Sequence, residues 1–169
     1  MIQPAINKFI NLSMDLLKFN KNYLNEVGKL YMDVFNSDPW NEKWTITSSM
    51  KRVEYFSPSI NKYGLGYLIK DKGKGKVIGF IGGVFYYYDQ FTIFTIEEMF
   101  INNNLQNKGI GNQLLIEFEK ILTKMKVNKI ELKTLKKSYV EKFYKNRGYI
   151  TNKNNRIYLA KDIKMAVVA

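Results

Sequence analysis

The sequence predicts an α/β (α+β) fold: a mixed, mostly antiparallel central sheet with one parallel β-α-β crossover and helices on both faces. Three observations carry this. Segments rich in β-branched and aromatic residues alternate with segments whose apolar residues recur at helical spacing. Short turn-forming clusters join several strands, which makes those neighbours antiparallel. One strand instead passes through a glycine-bearing turn into a long helix and on to another strand, which predicts a parallel, right-handed crossover. With 169 residues, 46% of them hydrophobic, the chain suits one domain with a core of its own, taken here as residues 1–169.

The elements follow in order. Phe9 to Leu17 reads as a first strand. In Asn22 to Phe35 the residues Tyr23, Leu24, Val27, Leu30, Tyr31, Val34 and Phe35 form one apolar helix face. Asn36-Ser37-Asp38-Pro39 ends it, because proline disfavours helix in the residue before it. Thr45 or Thr47 caps a second helix that runs to about Phe56 and stops at Ser57-Pro58. Tyr67 to Lys70 is a short strand, and Asp71 to Lys76 turns it into a hairpin with Val77 to Tyr88. Gly79, Gly82 and Gly83 inside that strand predict a bulge or a closely approaching neighbour. Asp89-Gln90 leads into the strand Phe91 to Ile101. The helix Gly109 to Met125, the strand Lys129 to Lys133 and a short helix from Tyr139 to Asn146 with Gly148 as its C-cap come next. Tyr149 to Lys153 and Arg156 to Ala160 make a last hairpin.

Composition excludes much chemistry. There is no cysteine and no histidine. Disulfides, thiolate nucleophiles, Cys-type zinc sites, His–metal sites and Ser-His-Asp catalysis are excluded together, and no metal is expected. Acid–base work falls to Glu, Asp, Tyr, Lys, water or a substrate group. No stretch approaches the roughly 20 apolar residues that span a membrane, and no signal peptide is seen, so a cytoplasmic protein without a membrane partner is expected. The frequent Lys, Asn and Ile point to an AT-rich, bacterial genome. The net charge of +12 is uneven: residues 1–100 carry 12 Lys/Arg and 10 Asp/Glu, whereas residues 101–169 carry 15 and 5. A basic half suits nucleic acid, or a small polyanion steered to the glycine turn. Nucleic acid is disfavoured, because many of these lysines lie between core positions of helices.

The most informative stretch is Leu105-Gln106-Asn107-Lys108-Gly109-Ile110-Gly111-Asn112-Gln113, where a strand gives way to a helix. A helix start presents unpaired N–H groups and partial positive charge, and glycine lets backbone approach a phosphate closely. A dinucleotide fingerprint needs a third glycine where Leu114 stands. A P-loop needs Gly-Lys-Ser/Thr, but Lys108 precedes Gly109. What remains is Gln106-x-x-Gly109-x-Gly111 after a β-strand, with Ile96-Glu97-Glu98-Met99-Phe100-Ile101 before it and Phe143-Tyr144-Lys145-Asn146-Arg147-Gly148-Tyr149 some way after. This set resembles the acetyl-CoA motif, cofactor-facing strand and late Phe-Tyr-x-x-x-Gly-Phe/Tyr motif of the GNAT superfamily of N-acetyltransferases. The element order is similar across about residues 9–160.

The resemblance implies a reaction and roles. An acetyl group passes directly from acetyl-CoA to a primary amine, and with no cysteine to carry an acyl group a ternary complex is favoured. The backbone of Phe100 and Ile101 would pair with the pantetheine arm. The N–H groups of Gln106, Asn107, Lys108, Gly109, Ile110, Gly111 and Asn112 would hold the pyrophosphate, with Lys108 adding charge. Tyr144 matches the tyrosine that protonates the departing thiolate; its plainer reading is a packed helix aromatic. Tyr139 is an alternative donor or a cofactor contact. Glu98 and Glu97 are candidate bases. Adjacent strand residues point to opposite faces, so one of the two is expected in the cleft, with a break or bulge near Met99. Glu98 is favoured as nearer the transfer centre.

Asp38, Trp40 and Trp44, with Glu42, lie where such proteins recognise their acceptor and could seat a cationic amine; the two tryptophans read equally well as packing for the helix junction. The acceptor class stays open among small amines, aminoglycoside-like or polyamine compounds and peptide amines. Two other functions stay open, a non-catalytic acyl-CoA-binding module and a basic nucleic-acid binder, and so does a homodimer using the apolar tail Met165 to Ala169.

Overall fold

In the computed structural model, which describes residues 14–151, five strands form one sheet in sequence order. The chain divides into two compact units, one ending at Lys133 and one beginning at Thr134. The first unit contains β1 (Met14–Lys18), α1 (Leu24–Phe35), α2 (Ile46–Glu54), β2 (Gly64–Asp71), β3 (Val77–Tyr88), β4 (Phe91–Ile101), α3 (Ile110–Lys124) and β5 (Lys129–Leu132). Strands β1 to β4 pair antiparallel, and β4 pairs with β5 in parallel through α3. The mixed sheet and its crossover are as expected from the sequence. Among the described residues no helix is long and apolar enough to cross a membrane.

Local chemistry explains most boundaries. Asn20 caps a 3-10 turn, Lys21–Tyr23, that feeds α1. Of the two candidate caps for α2 it is Thr45 that serves. Its hydroxyl accepts from the Ser48 N–H at 3.1 Å while the Thr45 N–H donates to the Ser48 hydroxyl at 3.0 Å, a reciprocal capping box. Strand β2 begins at Gly64, earlier than expected from its side chains. Packing overrides propensity here: a Cβ at Gly64 would sit 2.6 Å from the Tyr55 carbonyl, and one at Gly66 2.9 Å from the Phe80 ring. Residues 9–13 of the expected first strand lie outside the described residues, as does the apolar tail. The last hairpin lies almost wholly outside them, and Tyr149 to Thr151 belong to no strand.

The core has two layers, one on each face of the sheet. On one face α1 buries Val27, Leu30, Tyr31 and Val34 beside Phe80, whose ring meets Phe19 at 5.2 Å and Phe100 at 5.3 Å. On the other face Phe118 of α3 meets Phe94 at 5.3 Å and Tyr67 at 5.9 Å. Phe94 and Phe100 are six residues apart on one strand, so unbroken alternation would put them on one face. They lie on opposite faces because β4 carries a bulge. Gly82 pairs with Glu98 and Gly83 with Ile96, leaving Glu97 as the extra residue. Gly83 makes the bulge feasible, since a Cβ there would stand 1.9 Å from the Thr95 carbonyl oxygen.

The second unit contains α4 (Tyr139–Lys145), capped by the Ser138 hydroxyl, which accepts from the Glu141 N–H at 3.1 Å. Gly148 follows at φ +85°, the left-handed residue that stops the helix.

Candidate functional site

The C-terminal end of β4 carries two adjoining features of different make. The first is backbone. The ladder between β4 and β5 stops at Ile96–Leu132, and from Glu98 to Ile101 the strand is paired with β3 alone among the described residues. The chain then makes a 3-10 turn, Asn103–Leu105, and enters the loop before α3. Asn107 at φ +60° and Gly109 at φ +80° both take left-handed backbone. Gly109 is the N-cap of α3, and no side chain caps the helix. The N–H groups of Asn107 through Asn112 have no acceptor among the described residues. Space around Gly109 is open, with nothing within 4 Å of a Cβ built there. Gln106 braces the turn: its amide donates to the Ile101 carbonyl at 3.1 Å and to the Asn103 side chain at 3.0 Å. Ile110 is buried and anchors the helix start, while Lys108 is exposed and forms no ion pair with a described residue. Exposed amides, open space and one lysine fit the pyrophosphate of a coenzyme A thioester.

The second feature is built from side chains. Glu97 and Glu98, expected on opposite faces, instead meet the same guanidinium. Arg52 of α2 lies 3.2 Å from Glu97 Oε2, and its Nε and Nη2 lie 2.8 and 2.7 Å from Glu98 Oε1. The bulge is the physical reason: expected near Met99, it sits two residues earlier, at Glu97, and cancels the alternation. Tyr31 of α1 donates to Glu98 Oε1 at 3.4 Å. The carboxylates differ in exposure, with 12% of the Glu98 side chain accessible against 24% for Glu97. Burial pushes the Glu98 carboxyl above the ordinary glutamate range; Arg52 opposes that shift and the charge of Glu97 adds to it. Burial acts to lower the Arg52 value, but the two carboxylates outweigh it and the net shift is upward. Burial and then the Glu98 charge raise the Tyr31 phenol well above its usual range, so it stays neutral. Tyr86 of β3 is raised as well, by burial, then by the charge of Glu97, then by Tyr55 and Tyr88.

Sequence reasoning missed Arg52 and Tyr31. One signal was present: Arg52 is one of only 3 arginines among 27 basic residues. A planar fork suits two carboxylates where a lysine point charge suits one.

The remaining candidates are placed as follows. Trp44 packs edge-on against Tyr31 at 4.9 Å, and its indole N–H donates to the Glu42 carboxylate. Asn36 bonds both the N–H and the carbonyl of Trp44, at 2.7 and 2.8 Å. Trp40 packs on Phe35 at 5.6 Å, and Asp38 is exposed on the same loop. Thus Trp44 joins the acid cluster through Tyr31, whereas Asp38 has no recorded contact with it. In the second unit Tyr144 is buried at 7% exposure with rings of Phe143 and Tyr149 at 5.0 and 5.4 Å, and Tyr139 is 61% exposed. Among the described residues no group of three or more Asp or Glu is arranged to hold a metal ion.

Residues 25–149 match the Acetyltransferase (GNAT) family. The chain belongs to the GNAT acetyltransferase family. Solved structures agree at the level of fold. An integron cassette protein from the mobile metagenome of V. cholerae superimposes with a TM-score of 0.73 at 14% identity, covering 90% of this chain and 94% of that one. A GNAT family acetyltransferase from Staphylococcus aureus gives 0.66 at 17% identity, covering 90% and 100%. An aminoglycoside acetyltransferase from an uncultured soil metagenomic sample, solved with trehalose, gives 0.65 at 15% identity, covering 90% and 97%. No curated protein matches the sequence.

Proposed function

We propose that the protein is a single-domain N-acetyltransferase that moves an acetyl group from acetyl-CoA to a primary amine in a ternary complex. The observation that carries this reading is the end of β4. There the ladder with β5 stops, and the strand leads into an uncapped helix start with left-handed Asn107 and Gly109. Acetyl-CoA supplies the acetyl group as a thioester when bound. The backbone of Phe100 and Ile101 would hold its extended arm by strand addition. The N–H groups from Gln106 to Asn112, with Lys108, would hold its pyrophosphate.

On the acceptor side, Glu98 is the proposed base. Its carboxyl is raised toward the range where a proton acceptor is effective, and Glu97 stands beside it. The loop carrying Asp38, Trp40 and Trp44 is the proposed outer wall of the acceptor site. Tyr144 is the proposed acid for the thiolate, because a phenol donates a proton while staying neutral near pH 7; Tyr139 is a proposed cofactor contact. The amine nitrogen attacks the thioester carbonyl, the C–N bond forms and the C–S bond breaks. One amine proton leaves on Glu98, and the thiolate gains a proton as the thiol departs.

Thiol release from acetyl-CoA, measured across alkylamines, polyamines, aminoglycosides and peptide N-termini, tests this directly. Release that depends on one amine class supports the reading. Acetyl-CoA binding with no release for any amine would make the protein a non-catalytic acyl-CoA binder.

A further inference from the structure

The bulge in β4 concentrates acid where a regular strand would spread it. Two carboxylates reach one face and share a single guanidinium. The charged and titratable groups around them come from every neighbouring element: Tyr31 of α1, Arg52 of α2, Tyr86 of β3, and Glu42 of the α1–α2 loop acting on Tyr31. None of these adds a second cation. Arg52 therefore balances only one of the two carboxylates it touches, and the cluster keeps a net negative charge in a half-buried setting, where an uncompensated charge is costly. All three donors to Glu98 converge on Oε1, and its Oε2 accepts nothing from the described residues.

We propose that Arg52 is a positioning residue that sets the acceptor class: it holds Glu97 and Glu98 on one face, and the remaining negative charge seats the acceptor as an alkylammonium ion. The inference rests on the acetyl-transfer reading above and sharpens its acceptor. Arg52 occupies Glu98 Oε1 and so turns Oε2 to the incoming ammonium. One N–H bond of that ammonium breaks and its proton passes to Glu98 Oε2. The freed lone pair attacks the thioester carbonyl. A second N–H proton is lost as the amide forms and balances the proton gained by the thiolate; Glu98 then returns its proton to solvent. An arylamine, uncharged at neutral pH, has no charge to place in this site.

The test compares phenethylamine with aniline as acceptors for the full chain, for Arg52→Met and for Arg52→Lys. Acetyl-CoA affinity is measured separately by calorimetry, and the Glu98 carboxyl is titrated by carbon NMR. The expected result is strong preference for phenethylamine in the unaltered protein. Arg52→Met should lower its kcat/KM by about 30-fold or more with acetyl-CoA affinity unchanged, and should move the acid limb and the Glu98 titration up together by about one unit. Arg52→Lys, which keeps the charge and loses the fork, should recover part of the rate and keep the protein folded. Equal use of aniline overturns the ammonium class. A folded Arg52→Lys and Arg52→Met pair with the unaltered rate and the unaltered Glu98 titration overturns the positioning role. Absence of thiol release with every amine, together with a Glu98 titration that still follows Arg52, sinks the acetyl-transfer reading and not the control of Glu98 by Arg52.

Discussion

The loop after β4 and the carboxylate pair within it are neighbours in sequence and opposites in construction. The loop is made of backbone from seven consecutive residues, Gln106 to Asn112. From Asn107 onward its amides have no acceptor among the described residues, because a helix start leaves them so whatever packs elsewhere, while the Gln106 N–H donates to the Asn103 carbonyl. The carboxylate pair draws on α1, α2 and β4, with Arg52 and Tyr31 standing 46 and 67 residues from Glu98. Its properties come from burial, a bulge and one guanidinium. The difference teaches that in this protein the loop, the proposed donor side, is encoded locally, while the carboxylate pair, the proposed acceptor side, exists only as a product of packing. It follows that the two sides should respond separately to substitution.

The largest effect should come from the loop. Gly109→Glu places a side chain in left-handed backbone and an anion where the proposed site would hold phosphate, so acetyl-CoA binding should weaken by roughly 100-fold or more. The left-handed backbone should cost about 1–2 kcal/mol in thermal or denaturant unfolding, and the open space at Gly109 adds no clash to that. Micromolar binding retained in calorimetry would break the comparison at its donor end.

Gly83→Ala should act in the opposite sense. The new Cβ meets the Thr95 carbonyl, and the bulge must shift, at a cost of about 3 kcal/mol in denaturant unfolding. Any folded fraction should still bind acetyl-CoA but lose amine-dependent thiol release. Equal loss of both would mean that the two features are one.

Tyr144→Phe should lower kcat by about 10- to 100-fold with little change in acetyl-CoA affinity; unchanged turnover removes Tyr144 as the acid. The pH profile sharpens the acceptor side. Activity should fall as pH drops through the raised value of Glu98, above the ordinary 4.5, and Glu98→Gln should remove that limb. The stability contribution of Glu98 runs the other way. A raised carboxyl binds its proton more tightly when folded, so its contribution is present below 4.5 and is lost as pH rises through the folded value. The smallest effect is Thr45→Ala. It removes the capping box at the start of α2, the helix that carries Arg52, and should cost about 1 kcal/mol with acetyl-CoA affinity unchanged.

Much of the fold was legible because its signals are local. The apolar face of α1, the turn at Asp71 to Lys76, the β-branched and aromatic run of β3 and the uninterrupted helical spacing of α3 each specify an element without reference to anything distant. The β2 start was not legible, because Gly64 and Gly66 are poor strand formers and belong there for the close neighbours they admit. In the glycine turn, side chains that are absent and amides that are free can both be read from residue types.

By itself, then, the sequence determined the mixed sheet, the parallel crossover and a glycine-bearing helix start, in a chain without histidine or cysteine. Tertiary structure alone decided that Glu97 and Glu98 share a face, that Arg52 holds both and that Trp44 leans on Tyr31. The physical reason is that period-2 alternation is a rule for unbroken strands. Where Gly83 lets β3 approach the bulge in β4, one extra residue inverts the rule, and the partner that stabilises the result is supplied from 46 residues away.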